Sequence, residues 1–490
     1  MTGQSTERTL EVGLNTGLKR APMRLVVVVA MVFTLVCSGA FGLENSISAS
    51  GPGFTLLLLL VLPFLWSTPM ALISAELGSA LPAEGGFYRW TRRGLGEFWG
   101  FQAGWWWTLA VFVDSAVYIS LFGGYVQSWF HLSENWTWLM MVGAIVILAY
   151  INLRGLEFTG WVLTAMQVAL LIPFVILVVL GFSHVKANPF VPFVPPGQSV
   201  LSSTKLGLAI MLWMYAGYMA MSTMSGEVEE PRKVIPRGLL ISIPLVIGVY
   251  AISTIAGLAG VGHWQQWASS GGGSSISFVQ AAQRVVWGGR WLGWLMLASA
   301  VISNLALYVG YLASGARPSF MMARDRLLPK VLHGTHKKYG TPATTIIIMA
   351  FVNAILVRWG FTTLIVIDVF LIMCSYSMIF IAGCVLRYTE PNLERPYKVP
   401  LPNWGVVVMC IPPIALAIYE LFANGMQSFV GGFIAVMSGP IVFTVFKRLR
   451  KGVPQQDVIA EEDAEISALR ALSELAGPAQ PSRLEGGLDA

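Results

Sequence analysis

The sequence predicts an all-α integral membrane protein of twelve transmembrane helices, and three observations carry that expectation. Charged residues make up 11% of the chain and hydrophobic ones 55%, whereas soluble globular chains carry about 25% charged residues. Apolar runs of 18 or more residues recur, as at 162–182 and 239–261, and runs of that length cross a hydrocarbon layer as helices. Basic residues cluster in alternate loops instead of spreading evenly.

The low charge excludes a soluble fold: so few charged groups cannot cover the surface of a water-soluble chain of 490 residues. A transmembrane barrel would show short segments of alternating hydrophobicity; here the runs are continuous. No short apolar core followed by a small-residue cleavage site is read at the N-terminus, so no signal peptide is expected. The net charge of +6 sits in short loops, where it is a topology signal; no nucleic-acid partner is expected. Cys37, Cys374, Cys384 and Cys410 all fall inside apolar spans, with neither metal-site spacing nor a place for an external disulfide.

The spans read as 25–49, 54–81, 97–128, 134–152, 158–182, 202–227, 237–261, 288–316, 342–358, 362–387, 404–422 and 428–447. One set of loops holds Arg89, Arg92, Arg93, Arg154, Arg232, Lys233, Arg237, Arg317, Arg324, Arg326, Lys330, Lys337, Lys338, Arg387, Arg395 and Lys398. The opposite set holds only Lys186, Lys205, Arg284, Arg290 and Arg358. The positive-inside rule therefore puts both termini in the cytoplasm. Residues 1–24 read as a cytoplasmic segment and 25–450 as the transport core, with sets of spans at 25–182, 202–387 and 404–447. Residues 451–490 read as a cytoplasmic tail, with an amphipathic helix at 458–475 presenting Ile466, Leu469 and Leu472 on one face.

Two spans are interrupted in their middle. The first reads VCSGAFGLENS, with Ser38, Gly39 and Gly42 half-way through, and the sixth reads MYAGYMAMSTMSGE around Gly217. These spans open two successive five-helix sets, and paired interruptions in corresponding spans point to a transporter site near the bilayer midplane. Breaking a helix in lipid frees backbone groups that are tolerated only where they line a cavity or meet partners. N–H groups near Gly39 and Ala40 suit a carboxylate, and carbonyls near Ala216 and Gly217 suit an ammonium.

Acids inside spans are the next signal, because each is unfavourable there and functional by default. They are Glu44, Glu76, Asp114, Glu227, Asp368 and Glu420. Glu44 and Asp114 are read as substrate or proton contacts, with Tyr118 one turn beyond Asp114. Glu76 and Glu227, near the cytoplasmic ends of their spans, are read as gate or structural ion-pair residues. Asp368 and Glu420 are read as lying near the outer interface. Trp66, Trp105, Trp106 and Trp107 read as packing or interface anchors. Tyr218, next to the second interruption, is placed to cap a bound ligand or make a cation–π contact.

These motifs resemble the amino acid–polyamine–organocation superfamily from about residue 25 to 447. ALISAELGSALPAEGGFYRWTRRGLGEFWGFQAGW resembles its second span, loop and third span. GEVEEPRKVIPRGL is similar to the end of its sixth span, and MMARDRLLPKVLHGTHKKYGTP to its loop before span nine. SGAFGLENS, WGFQAGW and the stretch from Asp114 to Tyr118 look most like the polyamine-uptake branch and its bacterial relatives. The resemblance implies a LeuT-like five-plus-five inverted repeat with broken helices 1 and 6. It assigns backbone substrate contacts to Ser38, Gly39, Ala40, Ala216 and Gly217, and the aromatic gate position to Tyr218. Two departures weigh against a polycation: Met219 stands where polyamine-uptake relatives carry an aspartate, and Tyr311 where they tend to carry a glutamate. Span five lacks the lysine of many amino-acid members, with Gln167 its nearest polar candidate.

The expected function is secondary active transport of an amino acid or related small amine by alternating access, as a proton-coupled symport in the inner membrane. Polyamine uptake or amine exchange is the alternative, and a nutrient sensor on the same fold a more distant one. No G-x-x-x-x-G-K-[ST] nucleotide motif is present, so an ion gradient or exchange must supply the energy. Enzyme chemistry is not expected: His131, His184, His263, His333 and His336 all lie in or near loops, without nucleophile–base or metal spacing. No cofactor, metal or catalytic residue is expected.

Overall fold

The computed structural model describes residues 24–450, apart from 38, 83–84, 155, 229, 269–275 and 337, together with scattered positions between 454 and 467. The chain divides into two compact units, Leu18–Val453 and Met1–Gly17 with Pro454–Ala490. In the second unit the described positions from 456 to 467 are helical, with Ser467 Oγ donating to the Asp463 carbonyl at 2.7 Å. Most of the amphipathic segment expected at 458–475, Ile466, Leu469 and Leu472 included, lies outside the described residues.

The larger unit contains only helices and connecting segments among the described residues. They are α1 (Leu25–Val36), α2 (Glu44–Ser50), α3 (Pro52–Ala80, with one π turn at Pro63–Ser67), α4 (Phe87–Leu95), α5 (Glu97–Phe130) and α6 (Glu134–Leu153). There follow α7 (Leu156–Ser183), α8 (Val200–Met214), a 3-10 segment (Ala220–Glu227), α9 (Pro231–Val261), α10 (Phe278–Arg284) and α11 (Gly289–Arg324). The chain ends in α12 (Ala343–Leu356), α13 (Phe361–Thr389), α14 (Asn403–Ala423) and α15 (Met426–Arg450).

Local chemistry sets the boundaries. Pro52 and Pro231 open α3 and α9, where the missing N–H has no partner to lose. Pro63 falls inside α3, where it cannot donate, and the backbone passes through the π turn that begins there. The short helices α4 and α10 are absent from the sequence reading because neither is apolar throughout; α10 is fixed by a capping box between Ser277 and Gln280. Helix α11 continues to Arg324, beyond the expected end at 316. Arg317 does not stop it, because its guanidinium donates to the Ala313 carbonyl of the same helix.

Among the described residues eight helices are long and apolar enough to cross a membrane, and four shorter apolar helices accompany them. Their outer surfaces agree. Ile347, Phe351 and Ile355 form one exposed stripe along α12, and Ile434 and Ile441 another on α15. In water such stripes would be large apolar patches; against acyl chains they need no cover. The chain is a multi-pass membrane protein.

The interior is organised around α5, which packs along both α11 and α13. Trp105 Nε1 donates to Ser438 Oγ at 2.8 Å and Trp106 Nε1 to the Val436 carbonyl at 3.0 Å, tying α15 to α5. Helix α1 packs on α7, α9 and α11, while α2 packs on α8. A Cβ at Gly207 would sit 1.8 Å from Ser50 Oγ, and that hydroxyl donates to the Ser203 carbonyl at 2.6 Å.

Candidate functional site

The first interruption runs from Cys37 to Leu43, between α1 and α2. Ser38 lies outside the described residues. Gly39 and Gly42 have φ of 97° and 94°, a left-handed backbone that glycine adopts without the steric penalty of a Cβ. Helix α1 thus ends with carbonyls unpaired by its own backbone, and side chains take them. Tyr311 Oη donates to Leu35 O at 3.0 Å and Tyr250 Oη to Val36 O at 2.7 Å.

The second interruption separates α8 from the 3-10 segment at residues 215–219, with Gly217 at φ 99°. Its N–H donates to Tyr376 Oη at 3.2 Å. A Cβ on Gly217 would fall 2.3 Å from the Leu35 carbonyl oxygen, and one on Gly42 would fall 3.1 Å from the Trp213 ring. The two breaks therefore face each other. Tyr250 Oη also lies 3.0 Å from the Met214 carbonyl, so one hydroxyl serves the ends of both half-helices. Ala40, Ala216 and Tyr218 are buried around them.

Glu44 is fully buried at the start of α2. Its Oε2 accepts from Gly42 N–H at 2.7 Å, and its Oε1 from Tyr125 Oη at 2.8 Å and from Phe278 N–H at 3.1 Å. A carboxylate offers about four acceptor directions, and these donors occupy most of them. Phe41 packs edge-on against Tyr125, Phe174 and Phe278 on the same side of the break.

Asp114, also fully buried, accepts from Trp213 Nε1 at 2.7 Å through Oδ1 and from Tyr118 Oη at 3.3 Å through Oδ2. Tyr118 stacks on Trp213 with ring centroids 5.5 Å apart and tilts against Tyr311 at 5.3 Å. Asp368, expected near the outer interface, lies seven residues into α13. It is fully buried in α13, and neither of its oxygens has a hydrogen-bond partner among the described residues. Glu420 is buried as well, paired with Asn424.

Glu76 forms a buried ionic knot. Arg387 Nε donates to it at 2.8 Å and Arg387 Nη2 to its other oxygen; Val399 N–H donates at 2.8 Å, and Arg395 Nε stands 3.1 Å away. Burial pulls Arg395, which lies in the loop after α13, below the ordinary guanidinium range, and Glu76 opposes that shift. The knot joins α3, α13 and the loop before α14. The side chains of Glu227 and Gln167 lie outside the described residues. Met219, in place of the aspartate of the resemblance, accepts from Ser74 Oγ at 2.7 Å through its sulfur.

Trp213, Tyr250 and Tyr376 are not among the residues expected from sequence, and Tyr311 stands there only as a departure from the family pattern. Their common signal is a polar-tipped aromatic inside an apolar span. Such residues find a hydrogen-bond partner when buried, and here the partners are the broken backbone and Asp114.

The chain is 30% identical over 433 residues to the polyamine transporter PUT1 of Oryza sativa subsp. japonica, covering 87% of this chain and 78% of that one. It is 30% identical over 429 residues to the polyamine transporter RMV1 of Arabidopsis thaliana, covering 86% and 85%. It is 26% identical over 450 residues to the serine/threonine exchanger SteT of Bacillus subtilis, covering 89% and 98%. The family model described as amino acid permease matches residues 24–446, nearly the whole helical unit, and the chain belongs to that family of membrane transporters.

Proposed function

We propose that the protein is a secondary active transporter that carries a small organic amine, an amino acid or a polyamine, by alternating access. In this reading twelve spans cross the inner membrane with both termini cytoplasmic. They are α1 with α2, α3, α5, α6, α7, α8 with the 3-10 segment, α9 and α11–α15. The first five and the second five form an inverted repeat of the LeuT type, and residues 1–24 and 451–490 stay outside the transport core.

The observation that carries the reading is the meeting of the two breaks, with Gly217 against Leu35 and Tyr250 reaching the ends of both half-helices. Irregular backbone at membrane depth is tolerated where protein buries it or a cavity needs it, and paired breaks at one level are how such carriers bind cargo. The turn at Ser38, Gly39, Ala40 and Gly42 receives the cargo's carboxylate where it has one. Carbonyls at Ala216 and Gly217 receive an ammonium, with Asp114 as counter-charge and Tyr218 as the covering ring. Tyr118 aligns Asp114, and Glu44 holds the turn in shape and serves as a cargo or proton contact. Glu76 and Glu227 close the cytoplasmic side.

The names of the plant relatives favour a polyamine cargo, and that of the bacterial exchanger an amino acid. With no nucleotide motif in the sequence, an ion gradient or exchange supplies the energy, and the proton is the coupling ion of this reading. The deciding experiment is uptake of labelled putrescine, lysine and serine into vesicles containing the purified protein, with and without a pH gradient. Saturable uptake that grows with the gradient is expected. Failure to take up or exchange any amine overturns the reading.

A further inference from the structure

Asp368 has no part in that reading, yet its surroundings set it apart from the other buried acids. Structural carboxylates in this protein are held by donors: Glu44 by two N–H groups and a hydroxyl, Glu76 by arginine and an N–H. Asp368 is equally buried, and neither oxygen is hydrogen-bonded to a described residue. Buried polar groups are paired as a rule, and an exception asks for an absent partner.

The geometry says where that partner lies. Seven residues before Asp368 on α13, Phe361 packs against Trp213 with centroids 5.8 Å apart. Eight residues after it, Tyr376 accepts from the N–H of Gly217. Both offsets are close to two helical turns, so one face of α13 runs past the second break with Asp368 midway. On the other side of that break Trp213 donates to Asp114, and Tyr118 lies between Trp213 and Tyr311. That face of α13 therefore brings Asp368 to the side of the break where Asp114, Tyr118, Tyr311 and Tyr376 gather. The tyrosines are the titratable groups that α5, α11 and α13 bring to the two acids, while α8 contributes the indole of Trp213. Within one helical turn of Asp114, Trp213, Tyr311 or Asp368 the sequence carries no lysine, arginine or histidine.

We propose that Asp114 and Asp368 together form a subsite for one ammonium group, walled by Tyr118, Trp213 and Tyr311. The inference rests on the amine-transport reading above and adds to it a second acid and a stated chemistry. Two carboxylates on facing helices at membrane depth, with no basic residue within a helical turn of either along the sequence, call for positive charge from outside the chain. An alkylammonium supplies it, with N–H donors for the open oxygens of Asp368 and a charge that electron-rich ring faces attract. In the empty carrier a proton shared by the two acids fills the place, and the arriving ammonium displaces it. Amine binding therefore tightens as pH rises through the range in which that proton is held. The subsite also gives a cation anchor to a chain that lacks acids at Met219 and Tyr311.

The test uses full-length protein in lipid nanodiscs and equilibrium binding of putrescine, butylamine and serine from acid to neutral pH. Asp368→Asn is expected to weaken wild-type amine binding by about thirtyfold, the effect of removing one partner of a desolvated charge pair. It should also flatten the pH dependence, and Asp368→Glu should restore part of both. Binding within about threefold of wild type, with the pH slope intact, overturns the subsite and leaves the transport reading standing. A wild type that binds no amine of the panel overturns the transport reading, and the subsite with it. Should Asp368→Asn fail to fold, the wild type decides alone: amine added in weak buffer releases a proton if the inference holds, and none if it is wrong.

Discussion

Tyr125 and Glu44 meet at 2.8 Å, the phenol donating to a carboxylate that opens the second half of the first broken helix. Because the same carboxylate also receives the N–H groups of Gly42 and Phe278, it binds the turn, α5 and α10 at one point. An acid so far from water is tolerable because fixed donors replace the solvent.

Replacing Tyr125 by phenylalanine keeps the ring against Phe41 and removes only the hydroxyl. A hydrogen bond to a charged group contributes about 2 kcal/mol. Tyr125→Phe is expected to lower stability by that amount in denaturant titrations of the purified protein, and to slow uptake. Unchanged stability would mean that the two backbone donors suffice.

Gly217 combines φ 99° with an approach that leaves no room for a Cβ. Alanine there meets backbone strain of about 1–3 kcal/mol and must also push the Leu35 carbonyl away. Gly217→Ala should therefore reduce uptake by more than about tenfold, since 1.4 kcal/mol is already tenfold. Gly143→Ala, on an exposed part of α6 with nothing within 4 Å, is the control and should transport normally. Equal activity in the two variants would remove the close contact between the breaks from the mechanism.

The ionic knot at Glu76 gives an asymmetric prediction. Glu76→Gln leaves Arg387 and Arg395 side by side without their shared anion, whereas Arg387→Gln leaves Glu76 with Arg395 and the Val399 N–H. Breaking a buried pair from one side typically costs about 3–5 kcal/mol. The glutamate variant should lie at the upper end and the arginine variant below it, measured by thermal unfolding in detergent. The reverse order would show that Arg387 serves mainly through its bond to the Leu401 carbonyl.

Reporter fusions test the proposed topology independently of any site. A fusion at residue 328 should report the cytoplasm and one at residue 270 the opposite side. An inverted pair of signals would overturn the orientation drawn from the lysine–arginine bias.

The glycine positions were legible from sequence because their cause is local: a backbone with positive φ asks for glycine wherever it occurs. The helix-length apolar runs were legible for a similar reason, since hydrocarbon thickness fixes their length. Asp368 was not. Helix α13 is apolar nearly all round, so periodicity does not say which side faces protein and which faces lipid. The partners of the breaks were hidden by distance along the chain, Tyr376 lying 159 residues from Gly217 and Phe278 lying 234 from Glu44. Only packing brings such pairs together.

The Tyr250 hydroxyl has one hydrogen and two carbonyls within reach, those of Val36 and Met214. It can satisfy one acceptor fully at any instant, so the other is always underserved. Rotation about the C–O bond passes the hydrogen from one half-helix to the other without breaking into the phenol's packing. The difference between the two arrangements is then less than one net hydrogen bond, about 1 kcal/mol. Such a joint behaves as a bearing and not as a bolt. The hydroxyl can serve either half-helix, and thermal energy is enough to choose between them.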